Sequence, residues 1–247
     1  LPLSERVVKL RDPELRRRIL SETSVDVDPR IAIVVGLIEN GLHKIFPLGD
    51  PPNYEPTPET SIEAMAKREG KDPFEVLYDA MLELDGRQLL MLTLLGYSDG
   101  DLEAVRAMLE HPSSAFGLGD GGAHCGAICD ASMTTSLVSH WARDRTRGPK
   151  LPLEWVVRKM TKDTAELYGL GDRGVVAAGK KADLNVIDFD RLELALPELV
   201  HDLPAGAPRL IQRAHGYEAT IVAGEVTFED GEHTGALPGK LVRGARS

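Results

Sequence analysis

Two cysteines in 247 residues, Cys125 and Cys129, are too few and too close together to staple a small secreted fold. A reducing cytoplasm is therefore the expected setting. Long hydrophobic runs are also lacking. The longest, over 31–38, is far shorter than the roughly 20 residues that cross a bilayer, so no membrane partner is expected. The start of the chain carries no signal-peptide pattern. Positive charge is in deficit, with 29 Lys and Arg against 39 Asp and Glu and a net charge of -10. A phosphate backbone needs a basic face, so no nucleic-acid partner is expected. Arg143, Arg145, Arg147 and Lys150 come nearest to such a face and read as a solvated loop after a helix. The sequence holds no G-x-S-x-G elbow, no phosphate-binding glycine loop, no dinucleotide fingerprint and no internal repeat.

What is present is an ordinary globular composition, 42% hydrophobic and 28% charged, enough for a sizeable core. Its length suits either one barrel or two smaller domains. The chain opens at Leu1 and runs straight into a charged, helix-like stretch over 12–22. That opening suggests either a removed tag or an incomplete chain. The run 31–38 reads as a buried strand, with a second short strand over 43–48 and a proline-rich loop over 49–58. Thr60 and Glu63 form a capping box, and Gly70 supplies the left-handed stop of the helix that follows. Asp72-Pro73 opens a second helix with an apolar face of Phe74, Leu77, Met81 and Leu84. Residues 88–95 are either strand or buried helix. Leu102, Val105 and Leu109 then mark the inner side of an amphipathic helix over 101–110.

The next segment carries the candidate chemistry. Residues 115–118 read as a short apolar strand running into Gly119-Asp120-Gly121-Gly122, which puts Asp120 at a strand's C-terminal end. In α/β barrels reacting groups gather at those ends, where the loops converge on one mouth. Glycines there allow a sharp turn and close substrate approach. A carboxylate so placed could ligate a divalent metal and take a proton from bound water; an aspartate in a glycine-rich turn is the plainer alternative. His124 is a candidate substrate or supporting contact. Together with Cys125, Cys129 and Asp130 it lacks structural zinc spacing. His43 could point into a barrel mouth, His140 beside Trp141 suggests packing, and His111, His201, His215 and His233 read as loop residues. Helices are expected over 133–142 and 153–167. Beyond Gly169 strands are expected over 174–176, 182–189, 219–223 and 225–228, with turns at Ala223-Gly224 and Asp230-Gly231 and a loop over 191–212.

The run from Gly119 to His124 resembles the Ser-Asp-Gly element on the last barrel strand of the amidohydrolase superfamily, with Gly119 where many members carry serine. Residues 153–161 are similar to the helix after that strand. Residues 171–176 and 179–186 are similar to the return into a β-sandwich, and 231–239 closely resemble the tail of N-acyl-D-amino-acid deacylases, or D-aminoacylases. The resemblance implies an α/β fold: the C-terminal part of a TIM-like (β/α)8 metal-dependent hydrolase barrel over 1–170, with a helical insertion over about 58–86, then a small β-sandwich segment over 171–247.

It further implies hydrolysis of a linear amide, most simply deacylation of an N-acyl-D-amino acid, with zinc in the complete enzyme. Asp120 would be both the catalytic acid–base and a metal ligand, and Gly121, Gly122 and His124 would contact the substrate. A cationic clamp, typically arginine, would hold the substrate carboxylate. The family's His-x-His pair, from the first barrel strand, occurs nowhere in this sequence. This chain is therefore expected to be an incomplete, inactive part with no zinc of its own. Cys125 and Cys129 do not match the family's bridging cysteine. A cyclic-amide hydrolase of dihydroorotase or hydantoinase type is the alternative substrate class. A structural subunit that needs a partner is the alternative role. An open partial barrel exposes strand edges, so a homo-oligomer or association with an N-terminal half is expected.

Overall fold

The computed structural model describes residues 1–22, 32–117, 119, 126 and 132–243. Chain contacts divide it into two compact units, Leu1–Val105 and Arg106–Ser247. The boundary expected near residue 170 falls inside the second.

The first unit is helical. It holds α1 (Leu3–Leu10), α2 (Pro13–Ser21), α3 (Ala32–Asn40), α4 (Ile62–Glu69), α5 (Pro73–Met81) and the short α6 (Glu83–Gly86). One antiparallel pair, β1 (Ile45–Pro47) with β2 (Leu90–Leu92), completes it. Its core is Leu42, Ile45, Ile62, Ala66, Val76 and Ala80, joined by Ile38, Leu77, Leu90 and Leu92. The Asp72 carboxylate accepts from the Phe74 N–H at 2.8 Å, and Pro73 fills the first turn, as the sequence indicates. Gly70 ends α4 at φ 64, a left-handed position that costs glycine no Cβ clash. α1 and α2 are tied to α5 by polar contacts. Tyr78 Oη donates to Leu10 O at 2.8 Å, and Arg16 grips both Asp79 oxygens at 2.9 Å.

Three expectations are corrected in this unit. Within 31–38, residues from Ala32 on form helix α3 rather than a strand; Ile31 lies outside the described residues. A short apolar run has no decisive period, and a helix satisfies its backbone internally where a lone strand needs a neighbour. The cap of α4 is Ser61, which accepts from Ala64 N at 3.2 Å, and not Thr60. Pro58 starts a 3-10 turn, Pro58–Thr60, in which the Thr60 hydroxyl donates back to Thr57 O at 2.7 Å, so the helix begins one residue late. The buried residues of α5 are Val76, Tyr78 and Ala80, whereas Phe74 and Met81 are exposed. Two sides of α5 are covered: Val76 and Ala80 join the core, and Tyr78 turns to α1. Leu84 lies beyond the helix at φ 50.

The second unit opens with most of α7 (Glu103–Glu110), on which Leu109 is half-buried as expected. Next come α8 (Met133–Ser136), the π-helical turn Leu137–Asp144, α9 (Leu153–Arg158), the π-helical turn Lys159–Asp163, and α10 (Thr164–Leu167). Val156 on α9 is fully buried. Then come β3 (Leu184–Ile187), β4 (Glu193–Leu194), β5 (Glu198–Leu203), β6 (Ala207–Ile211), β7 (Ala214–His215), β8 (Tyr217–Val222), β9 (Glu225–Glu229) and β10 (Glu232–His233). Four strands make one sheet in the order β10-β9-β8-β3; β4 pairs with β7, and β5 with β6. The turns at Ala223-Gly224 (φ 54 and 87) and Asp230-Gly231 (φ 47 and 83) both take positive φ twice, the twist that a two-residue hairpin needs.

The stretch 191–212, expected as loop, instead contains β4 and the β5–β6 hairpin. Its alternation is interrupted by Pro204–Gly206, which turns the chain back on itself. Residues 174–176 form no strand: Gly174, at φ +87, lies against Ala165 and the Thr161 carbonyl, so the chain turns onto α10 there. His201, His215 and His233 lie on strands rather than loops. All strand pairings among the described residues are antiparallel, so the parallel strands of a barrel are not among them. Both units combine helix and strand, and among the described residues no helix is long and apolar enough to cross a membrane.

Gly216 shows how tightly the strands meet. It sits at φ +87, and a Cβ there would lie 2.7 Å from the backbone N and Cα of Leu192. Backbone cannot yield as a side-chain tip can. Gly216→Ala is expected to destabilise the second unit by about 3 kcal/mol. A melting curve that matches the unsubstituted chain would show that the strands can separate there at little cost.

Candidate functional site

Asp120, Gly121, Gly122 and His124 lie outside the described residues, as do Cys125, Cys129 and Asp130. What the structure gives is the framework on either side of them. Upstream, α7 ends in a turn: Ser113 N donates to His111 Nδ1 at 3.2 Å, and Ser114 N to His111 O at 3.0 Å. Residues 115–117 are not a strand, contrary to expectation; Leu118 is outside the described residues. Among the described residues no strand pairs with 115–117, so this backbone has no ladder to join.

Helix α9 holds it in place instead. The Phe116 ring meets Trp155 edge-on, with centroids 5.7 Å apart. Lys159 Nζ donates to Ser114 O at 3.1 Å. Downstream, Thr135 on α8 is buried and its hydroxyl lies 2.9 Å from Tyr217 Oη, which ties α8 to the sheet at β8. Ser139 Oγ donates to Thr135 O at 3.0 Å, so both buried hydroxyls are satisfied. Both flanks of the glycine-rich segment are thus fixed to elements of the second unit.

The cationic cluster is not the solvated loop expected. Arg145 is 1% exposed, with its guanidinium 4.6 Å from the Trp141 ring centroid. Arg143 donates to both Asp144 oxygens at 2.7 and 2.8 Å and to Leu192 O at 2.7 Å, and the hydrogen bond to Asp144 leads the effects that hold its proton more firmly than usual. Both arginines are thus committed to structure, which weighs against either as the substrate's carboxylate clamp. Sequence alone gives little sign of this, because spacing cannot tell a folded-in arginine from a solvated one.

In the first unit, His43, Lys44, Ser61, Lys67, Tyr97 and Asp99 line a cleft of about 770 Å³. It mixes both signs of charge, and His43 and Lys44 on its wall are exposed. Among the described residues no group of three or more His, Cys, Asp or Glu could hold a metal ion. The described residues therefore do not by themselves fit a metal centre.

Residues 3–228 match the family model of the amidohydrolase family, and the chain belongs to that family. Among solved structures it is similar to D-aminoacylase, in a crystal structure said to define a novel subset of amidohydrolases, with 28% identity and a TM-score of 0.40. That match covers 72% of this chain and 34% of the other. A second D-aminoacylase structure, concerned with its binuclear metal centre, one-metal activation and second-metal attenuation, matches at 28% identity and a TM-score of 0.40, over 73% of this chain and 34% of that one. A D-aminoacylase mutant in complex with CuCl2 matches at 27% identity, with the same coverage and TM-score. The chain thus spans about a third of the length of these D-aminoacylases. No curated protein matches it.

Proposed function

We propose that this chain is the C-terminal part of a metal-dependent amidohydrolase that cleaves a linear amide, most simply the acyl group of an N-acyl-D-amino acid. The observation that carries this is the family match over residues 3–228. The Gly119-to-Gly122 setting of Asp120 adds a carboxylate where the backbone lets a substrate come close. In this proposal Asp120 removes a proton from the attacking water as the C–O bond forms. It returns that proton to the amide nitrogen as the C–N bond breaks. Gly121, Gly122 and His124 contact the substrate. The metal, zinc by the family resemblance, is held by groups beyond the described residues, with Asp120 among them. The remaining barrel strands, a reducing cytoplasm and association with a further segment or copy belong to the same proposal.

The sequence carries no His-x-His, the pair with which the resembled family begins its metal site. This favours a chain that is not catalytically sufficient. The isolated 247-residue polypeptide is expected to bind no stoichiometric zinc and to release no D-amino acid from N-acetyl-D-amino acids, while the complete gene product does both. Metal analysis after gel filtration and a chiral amine assay check this. Tight zinc with turnover in the isolated polypeptide would overturn the insufficiency. A complete gene product that opens a dihydropyrimidine ring and leaves N-acyl-D-amino acids intact would move the substrate to the cyclic-amide class.

A further inference from the structure

The approach to the glycine-rich segment hangs on one helix face. Trp155 and Lys159 are four residues apart, so they stand one above the other across the junction of α9 and its π turn. Both reach the same short stretch of chain: Trp155 packs on Phe116, and Lys159 donates to Ser114 O. Lys159 Nζ also lies 5.7 Å from the Trp155 ring centroid, so each supports the other. The Lys159 side chain is only 11% exposed and its other ionic neighbour, Asp163, is 3.9 Å away. The carbonyl of Ser114 is thus the nearer partner of a largely desolvated ammonium, and such charge-assisted bonds are stronger than neutral ones.

We infer that Lys159 is a positioning residue for the site: with Trp155 it clamps Ser114 and Phe116, and so fixes where the chain enters the segment carrying Asp120. The clamp stands on the geometry of the described residues. Its consequence for catalysis rests on the role proposed for Asp120.

Chymotrypsin under native conditions reads the clamp directly, because cleavage after Phe116 requires the ring to leave Trp155. Cleavage after Leu95, exposed in the first unit, serves as the internal reference. When opening is fast, cleavage tracks the population of the open form. Lys159→Met is expected to raise the rate at Phe116 about tenfold, equivalent to about 1.4 kcal/mol of local opening. Lys159→Arg, which keeps a cation and donors, should restore it. Asp163→Asn, which removes the weaker ion pair and the Arg158 bond at 2.9 Å but leaves Ser114 alone, should change nothing.

An unchanged rate in Lys159→Met overturns the clamp, and so does an equal rise in Asp163→Asn. In the complete gene product Lys159→Met should lower kcat about tenfold or more with KM little changed, since small misplacements of a reacting group are costly. Faster cleavage in a gene product with no amide hydrolysis in any form would support the clamp and sink the role of Asp120 instead.

Discussion

Asp120→Asn in the complete gene product is expected to lower turnover by roughly a thousandfold, within the range that positioned acid–base groups contribute. Asparagine has nearly the same volume and shape as aspartate. The substitution therefore removes the negative charge and the proton-accepting oxygen while disturbing little else. Glycines on both sides mean no close side-chain neighbour in sequence has to repack. The far-ultraviolet spectrum and the melting temperature should stay with the unsubstituted protein. If turnover persists within about tenfold, another group takes the proton, since a tenfold loss is only about 1.4 kcal/mol of barrier. Asp120→Glu separates the two roles: it keeps the acid but moves it by a methylene. It should recover part of the activity if proton transfer alone is needed, and little if the oxygen must also sit at a metal.

That prediction comes from sequence, and the reason lies in what short motifs encode. A glycine-flanked aspartate and a tail similar to D-aminoacylases carry the proposed site by residue type, which needs no coordinates. The same holds for local caps. Asp72-Pro73, Gly70 and the paired positive-φ turns of the β8–β9–β10 meander form where the sequence indicates, because each is decided within four or five residues. What was not legible depends on partners far along the chain. Residues 32–38 are helical although their composition suits a strand, since β-propensity reports a fit to neighbours rather than a backbone preference. The strand expected at 115–118 does not form over 115–117; that stretch is held instead by residues much later in the chain, Trp155 and Lys159. Thr60 loses the cap to Ser61 because Pro58 sets an earlier turn.

Arg145 carries the largest expected effect on stability, and it inverts the expectation of a solvated charge. Its backbone N–H closes the π turn on His140 O at 2.8 Å, and the chain then loops back so that Leu151 N meets Trp141 O at 2.9 Å. Inside that loop the guanidinium stacks on Trp141 and donates to Pro149 O at 3.0 Å and Arg147 O at 3.5 Å. Arg145→Ala removes the stack and the charged donor to two part-buried carbonyls, each such bond contributing about 1.5 kcal/mol. It also leaves a void where a side chain only 1% exposed had stood.

The total expected from the lost stack, the lost donors and the void is about 3–5 kcal/mol. At about 2–4 °C per kcal/mol this lowers the melting temperature by roughly 10 °C. The two tryptophans, Trp141 and Trp155, both lie in the second unit, so their fluorescence follows that unit alone. Lysine at 145 keeps the charge but not the planar fork, and should recover about half of the loss. Methionine is the decisive substitution, since it fills the space with no donor at all. A Met variant as stable as the unsubstituted chain would mean that the loop needs only volume at 145, and that the guanidinium does not hold its carbonyls in place.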